Sequence, residues 1–245
     1  MSAVYAVEDG VALNQNQVIG LANTLSDPRD VVVCAAGSMP GDLHKLWRTR
    51  DPKGYHVEYG YSCMGYEVAG GLGVRMADTS RDVFVMVGDG SYLMMATELV
   101  TAVQERIKVI VVLVQNHGFA SIGSLSEALG SQRFGTSYQY RSDDGRLDGG
   151  KLPVDLAANA ASLGADVIKV TTAAEFRDAV KVAKASDRTT VIHVETDPLI
   201  PAPDSESWWD VPVSEVSALD STQAAYQAYA DWKTIQRPHI RPSDR

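Results

Sequence analysis

VFVMVGDGSYLMMATELVTAVQERIKVIVVLVQNHG, residues 83–118, holds two apolar runs on either side of a stretch with helical spacing. Residues 83–87 and 109–114 are rich in β-branched side chains and end abruptly in Gly, Gln or Asn. Runs that are apolar at every position read as strands buried on both faces, as in a parallel sheet covered by helices. Between them Leu93, Met94, Ala96, Leu99, Val100 and Val103 recur as a helix-like stripe, which predicts one helix over 93–104. Outward from this core, 31–36, 167–170 and 190–195 read as further strands. Stretches 16–25, 64–76, 156–163 and 173–185 read as helices. The alternation predicts an α/β fold, a doubly wound, mostly parallel sheet with helices on both faces.

Residues 1–200 are expected to form this domain. Residues 131–150, rich in Gly, Ser, Asp and Tyr and without a period, read as a long loop of the functional or mobile kind. Residues 201–245 read as a C-terminal tail: a proline-rich stretch over 198–203, then Trp208 and Trp209, then a helix over 213–233 packing on the domain or on a partner.

The 245 residues are 45% hydrophobic and 22% charged, with a net charge of −9. So acidic a chain suits neither duplex nucleic acid nor an anionic membrane, where basic patches dominate. No apolar run approaches the roughly 20 residues that span a bilayer. The N-terminus, MSAVYAVEDG, lacks the features of a signal peptide. Cys34 and Cys63 sit in apolar stretches, which points to reduced, buried thiols and a cytoplasmic location.

In a doubly wound sheet, ligands collect where strands end and helices begin. Three expected strand ends carry polar or glycine-rich turns: Ala35-Ala36-Gly37-Ser38, Gly88-Asp89-Gly90-Ser91 and Gln115-Asn116-His117-Gly118. Asp89 between two glycines offers a carboxylate flanked by bare backbone, and Asn116 adds a neutral oxygen. One carboxylate with neutral oxygens suits Mg²⁺, which takes oxygen ligands and shares them with phosphates and water. The amides of Gly90 and Ser91 open a helix, where unpaired N–H groups and the dipole attract anions. Each piece alone also reads as a tight turn or a helix cap. Their combination is more specific, since the 25 residues 91–115 amount to one helix plus one strand.

The run Gly88-Asp89-Gly90, 25 residues, then Asn116 resembles the signature of thiamine-diphosphate-dependent enzymes. The resemblance implies Asp89 and Asn116 as side-chain Mg²⁺ ligands and Gly118 as a carbonyl ligand. Gly37, Ser38, Gly88, Gly90 and Ser91 would then meet the diphosphate. The segment YSCMGYEVAGGLG is similar to the family stretch in which a bulky apolar residue bends the cofactor. Met64 takes that place, and the Ser62 carbonyl would receive the cofactor's 4′-amino group. Ser62 stands where many members have Gly, and Gln115 where many have a first Asn.

Longer runs, among them CAAGSMPGDLHKLWRTRDPKGYHVEYGYSCMGYE and NHGFASIGSLSEALGSQRFGT, are similar to a branch that hydrolyses a carbon–carbon bond of a cyclic 1,2-dione in myo-inositol breakdown. The alternatives within the family are an acetolactate-forming enzyme and a 2-oxoacid decarboxylase. The family's activating Glu belongs to a separate pyrimidine-binding domain, for which this chain has no room. The resemblance therefore implies a chain that is inactive alone and works in a homo- or hetero-oligomer, at least a dimer, with that domain supplied by a partner. His44, His56 and His117 are candidates for proton transfer, His117 foremost for its place between proposed ligands. Arg133 is a candidate for holding substrate oxygens. Nucleotide-binding readings fail: Leu93 stands where a dinucleotide fingerprint needs its third glycine, and no Walker-type run exists. A nucleophile elbow fails as well, because Met64 stands where its last Gly is needed.

Overall fold

A computed structural model describes Tyr5, Val7 and residues 12–58, 60–200, 202–203 and 210–236. Pro201, Trp208 and Trp209, part of the expected tail, lie outside the described residues. In chain order the first elements are α1 (Gln15–Leu25), β1 (Val31–Cys34), α2 (Ser38–Leu46), β2 (Tyr55–Val57), α3 (Tyr66–Ala77), β3 (Val83–Gly88), α4 (Asp89–Met95) and α5 (Glu98–Gln104). Then come β4 (Ile110–Gln115), α6 (Ala120–Ala128), α7 (Leu156–Ser162), β5 (Asp166–Val170), α8 (Ala173–Ala185), β6 (Thr190–Glu195) and α9 (Asp220–Ile235).

The six strands form one parallel sheet in the order β2-β1-β3-β4-β6-β5. Its alternating side chains build two cores. Val32, Cys34, Phe84, Met86, Val112 and Ile192 face α1, α2 and α8, while Val33, Val85, Val111 and Leu113 face α3, α4, α5 and α7. Both faces are therefore covered, which explains why β1, β3 and β4 are apolar at nearly every position. Helix starts are encoded locally. Asn14 with Gln17 and Thr172 with Glu175 form capping boxes that satisfy the first free amides of α1 and α8.

The order in which strands are added to the sheet reverses between β1 and β3. From β1 the chain crosses through α2 to β2 on one side, and from β3 through α4 and α5 to β4 on the other. The crevice outside the carboxyl ends of β1 and β3 is the place where a doubly wound sheet receives ligands.

Several expectations are corrected. The stripe over 93–104 is not one helix: the chain turns at Ala96–Thr97 and splits it into α4 and α5. Nor does most of that stripe face the core: Leu93, Met94, Val100 and Val103 are exposed, whereas Leu99 is buried and Tyr92 and Ala102 turn inward with it. Cys63 is exposed, because it lies in the turn before α3 with its amide donated to Glu58 Oε2. Cys34 is buried in β1, and burial pushes its thiol up to about 12, so it is inert. The final helix runs over Asp220–Ile235 and not 213–233.

The described residues cluster into two compact units: those of Met1–Ser121 with Gly135–Pro203, and those of Ile122–Phe134 with Asp204–Arg245. The first contains the whole sheet. In the second, the hydroxyls of Ser221 and Thr222 both donate to the Gly130 carbonyl, at 2.5 and 2.9 Å. Tyr229 donates to Asp210 in the same unit. No helix among the described residues is long and apolar enough to cross a membrane.

Candidate functional site

Register brings the two motif turns side by side. Gly88 at the end of β3 pairs with Val114 of β4, so the chain leaves both strands at one level. Asp89 is 1% exposed and its carboxylate gathers three amides. Oδ1 accepts from Gly90 N–H at 2.8 Å, and Oδ2 accepts from Asn116 N–H at 3.0 Å and Gly118 N–H at 3.1 Å. Burial pushes this carboxyl above its usual range, and the amide bonds pull the other way. The Asn116 side-chain oxygen is buried with no partner. A buried acceptor left unpaired costs about 1–3 kcal/mol and calls for an explanation, an absent ion among them.

The amides of Asn116 and Gly118 thus both close on the Asp89 carboxylate, and Asn116 brings an unpaired oxygen of its own. The donor set is all oxygen, which suits a hard divalent cation. Among the described residues no group of three or more His, Cys, Asp or Glu side chains is placed to hold a metal ion.

Gly118 is required by a close approach. The segment 136–138 of the long loop pairs with it: Phe119 N–H donates to Thr136 O at 2.7 Å and Tyr138 N–H donates to His117 O at 2.8 Å. A Cβ on Gly118 would stand 2.1 Å from Thr136 O. Gly90 is bounded likewise, since a Cβ there would lie 2.9 Å from the Phe119 ring and 3.3 Å from Met64 Cε. Met64 and Phe119 therefore wall the bare backbone at the start of α4. Phe119 meets the Tyr138 ring edge-on, centroids 5.9 Å apart.

The other proposed contacts lie at the starts of α2 and α4 and in the turn before α3. Gly37 caps α2 with φ 85°, a conformation that favours glycine, and a Cβ there would meet open space. The Ser38 hydroxyl lies 3.0 Å from Gln15 Nε2. Ser62 is exposed and adopts φ 52°, in the left-handed region that favours glycine. The Ser91 hydroxyl points inward, donating to Glu67 Oε2 at 2.6 Å and accepting from Gly65 N–H at 2.7 Å. The Gly90 amide is taken by Asp89, so it is not the free donor that the sequence led one to expect.

Glu67 escaped the sequence reading. Its buried carboxylate accepts from Ala36 N–H at 3.2 Å as well as from Ser91, and so ties the β1 turn to α4. Burial raises its pKa. The only signal was an acidic residue inside the otherwise apolar, glycine-rich YEVAGGLG.

His117, at φ 61°, is set between two partners. Nε2 is 3.0 Å from Glu195 Oε2, and Nδ1 is 3.2 Å from Gln115 Nε2. Donation from Gln115 leaves the ring proton on Nε2, directed at Glu195. Gln115 also accepts from His193 Nε2 at 2.7 Å, and burial holds His193 below the ordinary imidazole value. These groups border a cleft of about 470 Å³ lined by Asn116, His117, Tyr138, Lys151 and Glu195 among others. The Tyr138 hydroxyl is buried without a partner, and burial first, then the charge of Asp89, push its pKa upward.

His44 and His56 are not part of this grouping. His44 is exposed on α2 against Tyr55, and His56 on β2 is bonded to the Tyr66 hydroxyl at 2.6 Å. Arg133 belongs to the second unit, where it is paired with Glu127 at 2.7 Å.

The family profile described as "Thiamine pyrophosphate enzyme, C-terminal TPP binding domain" matches residues 35–194. The 3D-(3,5/4)-trihydroxycyclohexane-1,2-dione hydrolase 2 of a Bacillus cereus strain is 46% identical over 220 residues, 89% of this chain and 34% of the relative. Hydrolase 1 of the same strain is 47% identical over the same shares. A thiamine diphosphate-dependent 4-hydroxybenzoylformate decarboxylase of Rhodococcus jostii RHA1 superposes with a TM-score of 0.65 at 23% identity, covering 78% of this chain and 34% of that one. This last likeness is one of fold. The chain spans about a third of the length of the curated relatives it matches.

Proposed function

Because the chain belongs to the thiamine pyrophosphate enzymes, through their C-terminal TPP-binding domain, we propose that it holds thiamine diphosphate through Mg²⁺ as part of a carbon–carbon bond hydrolase. The substrate would be a cyclic 1,2-dione of the trihydroxycyclohexanedione type, opened to 5-deoxyglucuronate in myo-inositol catabolism. The observation that carries the reading is the unpartnered side-chain oxygen of Asn116, a residue whose amide donates to the buried Asp89 carboxylate. Asp89, Asn116 and the Gly118 carbonyl would hold the metal. The main chain at Gly37, Ser38, Gly88, Gly90 and Ser91 would meet the diphosphate, with Ser62 and Met64 toward the organic rings.

Bound there, the cofactor supplies an electron sink for cleavage of the bond next to a carbonyl. This chain's residues position it and handle charge. Asp89 offsets the cation, and its three amide bonds fix the carboxylate's orientation. His117 is suited to carry a proton, because Glu195 accepts from one ring nitrogen and Gln115 fixes the other. Phe119 and Met64 keep water from the start of α4.

The activating carboxylate is proposed to come from a pyrimidine-binding domain outside this chain, in a dimer or larger oligomer. The chain alone is then without turnover. The two free thiols suit a cytoplasmic setting.

Calorimetric titration of the full chain with thiamine diphosphate, in Mg²⁺ and in EDTA, tests the reading. Binding should vanish in EDTA. Asp89→Ala should weaken it by roughly a hundredfold or more, the scale for removing one partner of a buried charge pair. Equal affinity in the variant refutes the ligand assignment. Product analysis with the dione against pyruvate, in the complete enzyme, separates the hydrolase from an acetolactate-forming or decarboxylating one.

A further inference from the structure

The hydroxyl of Tyr138 has no assigned role, yet it is buried without a hydrogen-bond partner. Its backbone is tied down on both sides. Tyr138 N–H donates to His117 O, Leu152 N–H donates to Tyr138 O at 2.9 Å, and the preceding bridge joins Ser137 to Gly118. Its ring packs edge-on against Phe119, the same ring that would touch a Cβ on Gly90. Tyr138 and Asn116 line one cleft, and each carries a buried, unsatisfied oxygen. Two such atoms from separate segments, each costly alone, point to one polar occupant. The unsatisfied atom of Asn116 is an acceptor, which suits a cation, whereas the Tyr138 hydroxyl has a proton to give, which suits an anionic or water oxygen.

We propose that Tyr138 is a further binding residue of this site, donating its hydroxyl proton to an oxygen carried by the metal–diphosphate group. The inference rests on the function proposed above. The shared chemistry is an oxygen polarised by Mg²⁺, either on the diphosphate or on a metal-bound water. The long loop thereby acquires a role: its 136–138 segment brings a hydroxyl donor to the crevice, where that of Ser91 is already spent on Glu67.

The test uses Tyr138→Phe in the full chain, with Mg²⁺ alone, Mg²⁺ with inorganic pyrophosphate, and Mg²⁺ with thiamine diphosphate. Melting temperature and titration calorimetry are read together. Without ligand, the variant should melt at or above the parent, because the hydroxyl it loses is bonded to nothing. Its affinity for Mg²⁺ with pyrophosphate should fall about tenfold, the scale of one hydrogen bond to a charged group. The melting shift caused by the ligand should shrink in step. A loss already present with Mg²⁺ alone assigns the acceptor as a metal-bound water, and one that needs pyrophosphate assigns it as a diphosphate oxygen. Equal affinities in parent and variant overturn the proposal. So does a fall in the ligand-free melting temperature, which marks a hydroxyl bonded within the protein. If the parent itself shows no Mg²⁺-dependent binding of either compound, it is the underlying functional reading that fails.

Discussion

Gly118→Ala is the substitution whose cost can be worked most directly from the structure. The new methyl group would sit 2.1 Å from Thr136 O and 2.8 Å from Ser137 Cα, both backbone atoms that no rotamer change can move. Real Cβ contacts stay beyond 3.0 Å, so the 136–138 segment must retreat by about 0.9 Å (3.0 − 2.1 Å). The two backbone bonds of the bridge, 2.7 and 2.8 Å long, would stretch past roughly 3.5 Å and cease to count. At about 1 kcal/mol each the loss is about 2 kcal/mol, rising to about 4 kcal/mol if the freed groups stay out of water. For a chain of this size that is a drop of about 4–16 °C in melting temperature. Differential scanning calorimetry reads the stability, and titration with Mg²⁺ and thiamine diphosphate reads the site. We expect both to fall, since Gly118 carries an amide bonded to Asp89. A variant that melts within about 1 °C of the parent would show that the loop is not held against this strand end.

Two further outcomes concern pH. Burial raises Glu67 above its ordinary 4.5, so the stability tied to its protonated form is complete below that pH and is lost as pH rises through the folded value. Glu67→Gln should therefore gain on the parent in urea midpoint between pH 4.5 and 7.5, whatever its constant offset; a difference independent of pH refutes this. His193 is displaced the other way, its buried ring resisting protonation relative to an ordinary 6.5. Its contribution is complete above about pH 6.5 and declines as the solution is acidified below it, because the unfolded chain then binds the proton first. His193→Asn should flatten the stability profile between about pH 7 and 5.5, and an unaltered slope would count against the burial argument.

The central strands β3 and β4 were readable because burial on both faces leaves few polar positions to confuse the pattern, and 83–87 and 109–114 fall within one residue of them; 190–195 was placed to the residue although it carries His193 and Glu195. The edge strand β2 was not, for Tyr55–Val57 is three half-buried residues with no run to notice. Helix α2 was hidden by Gly37 and Pro40, which look like a turn, although Pro is tolerated in a first helical turn. The exposed apolar side chains of α4 and α5 imitate an amphipathic stripe, and spacing alone cannot reveal what a face meets. At the site, the spacing of Asp89 and Asn116 was legible, and the Asn116 amide donates to the Asp89 carboxylate. Tyr138 and Glu67 were not, because each reaches the crevice from a distant segment that only tertiary pairing brings near.

The inward turn of Ser91 has a bearing on how such a chain can diverge. With its proton given to Glu67 and a lone pair to Gly65, this serine answers to the interior, and a visitor to the crevice would meet only peptide there. Peptide groups are common to every sequence. Selection at position 91 would then act through the carboxylate beneath it, so that exchanges at 67 and 91 should occur as a pair or be refused singly.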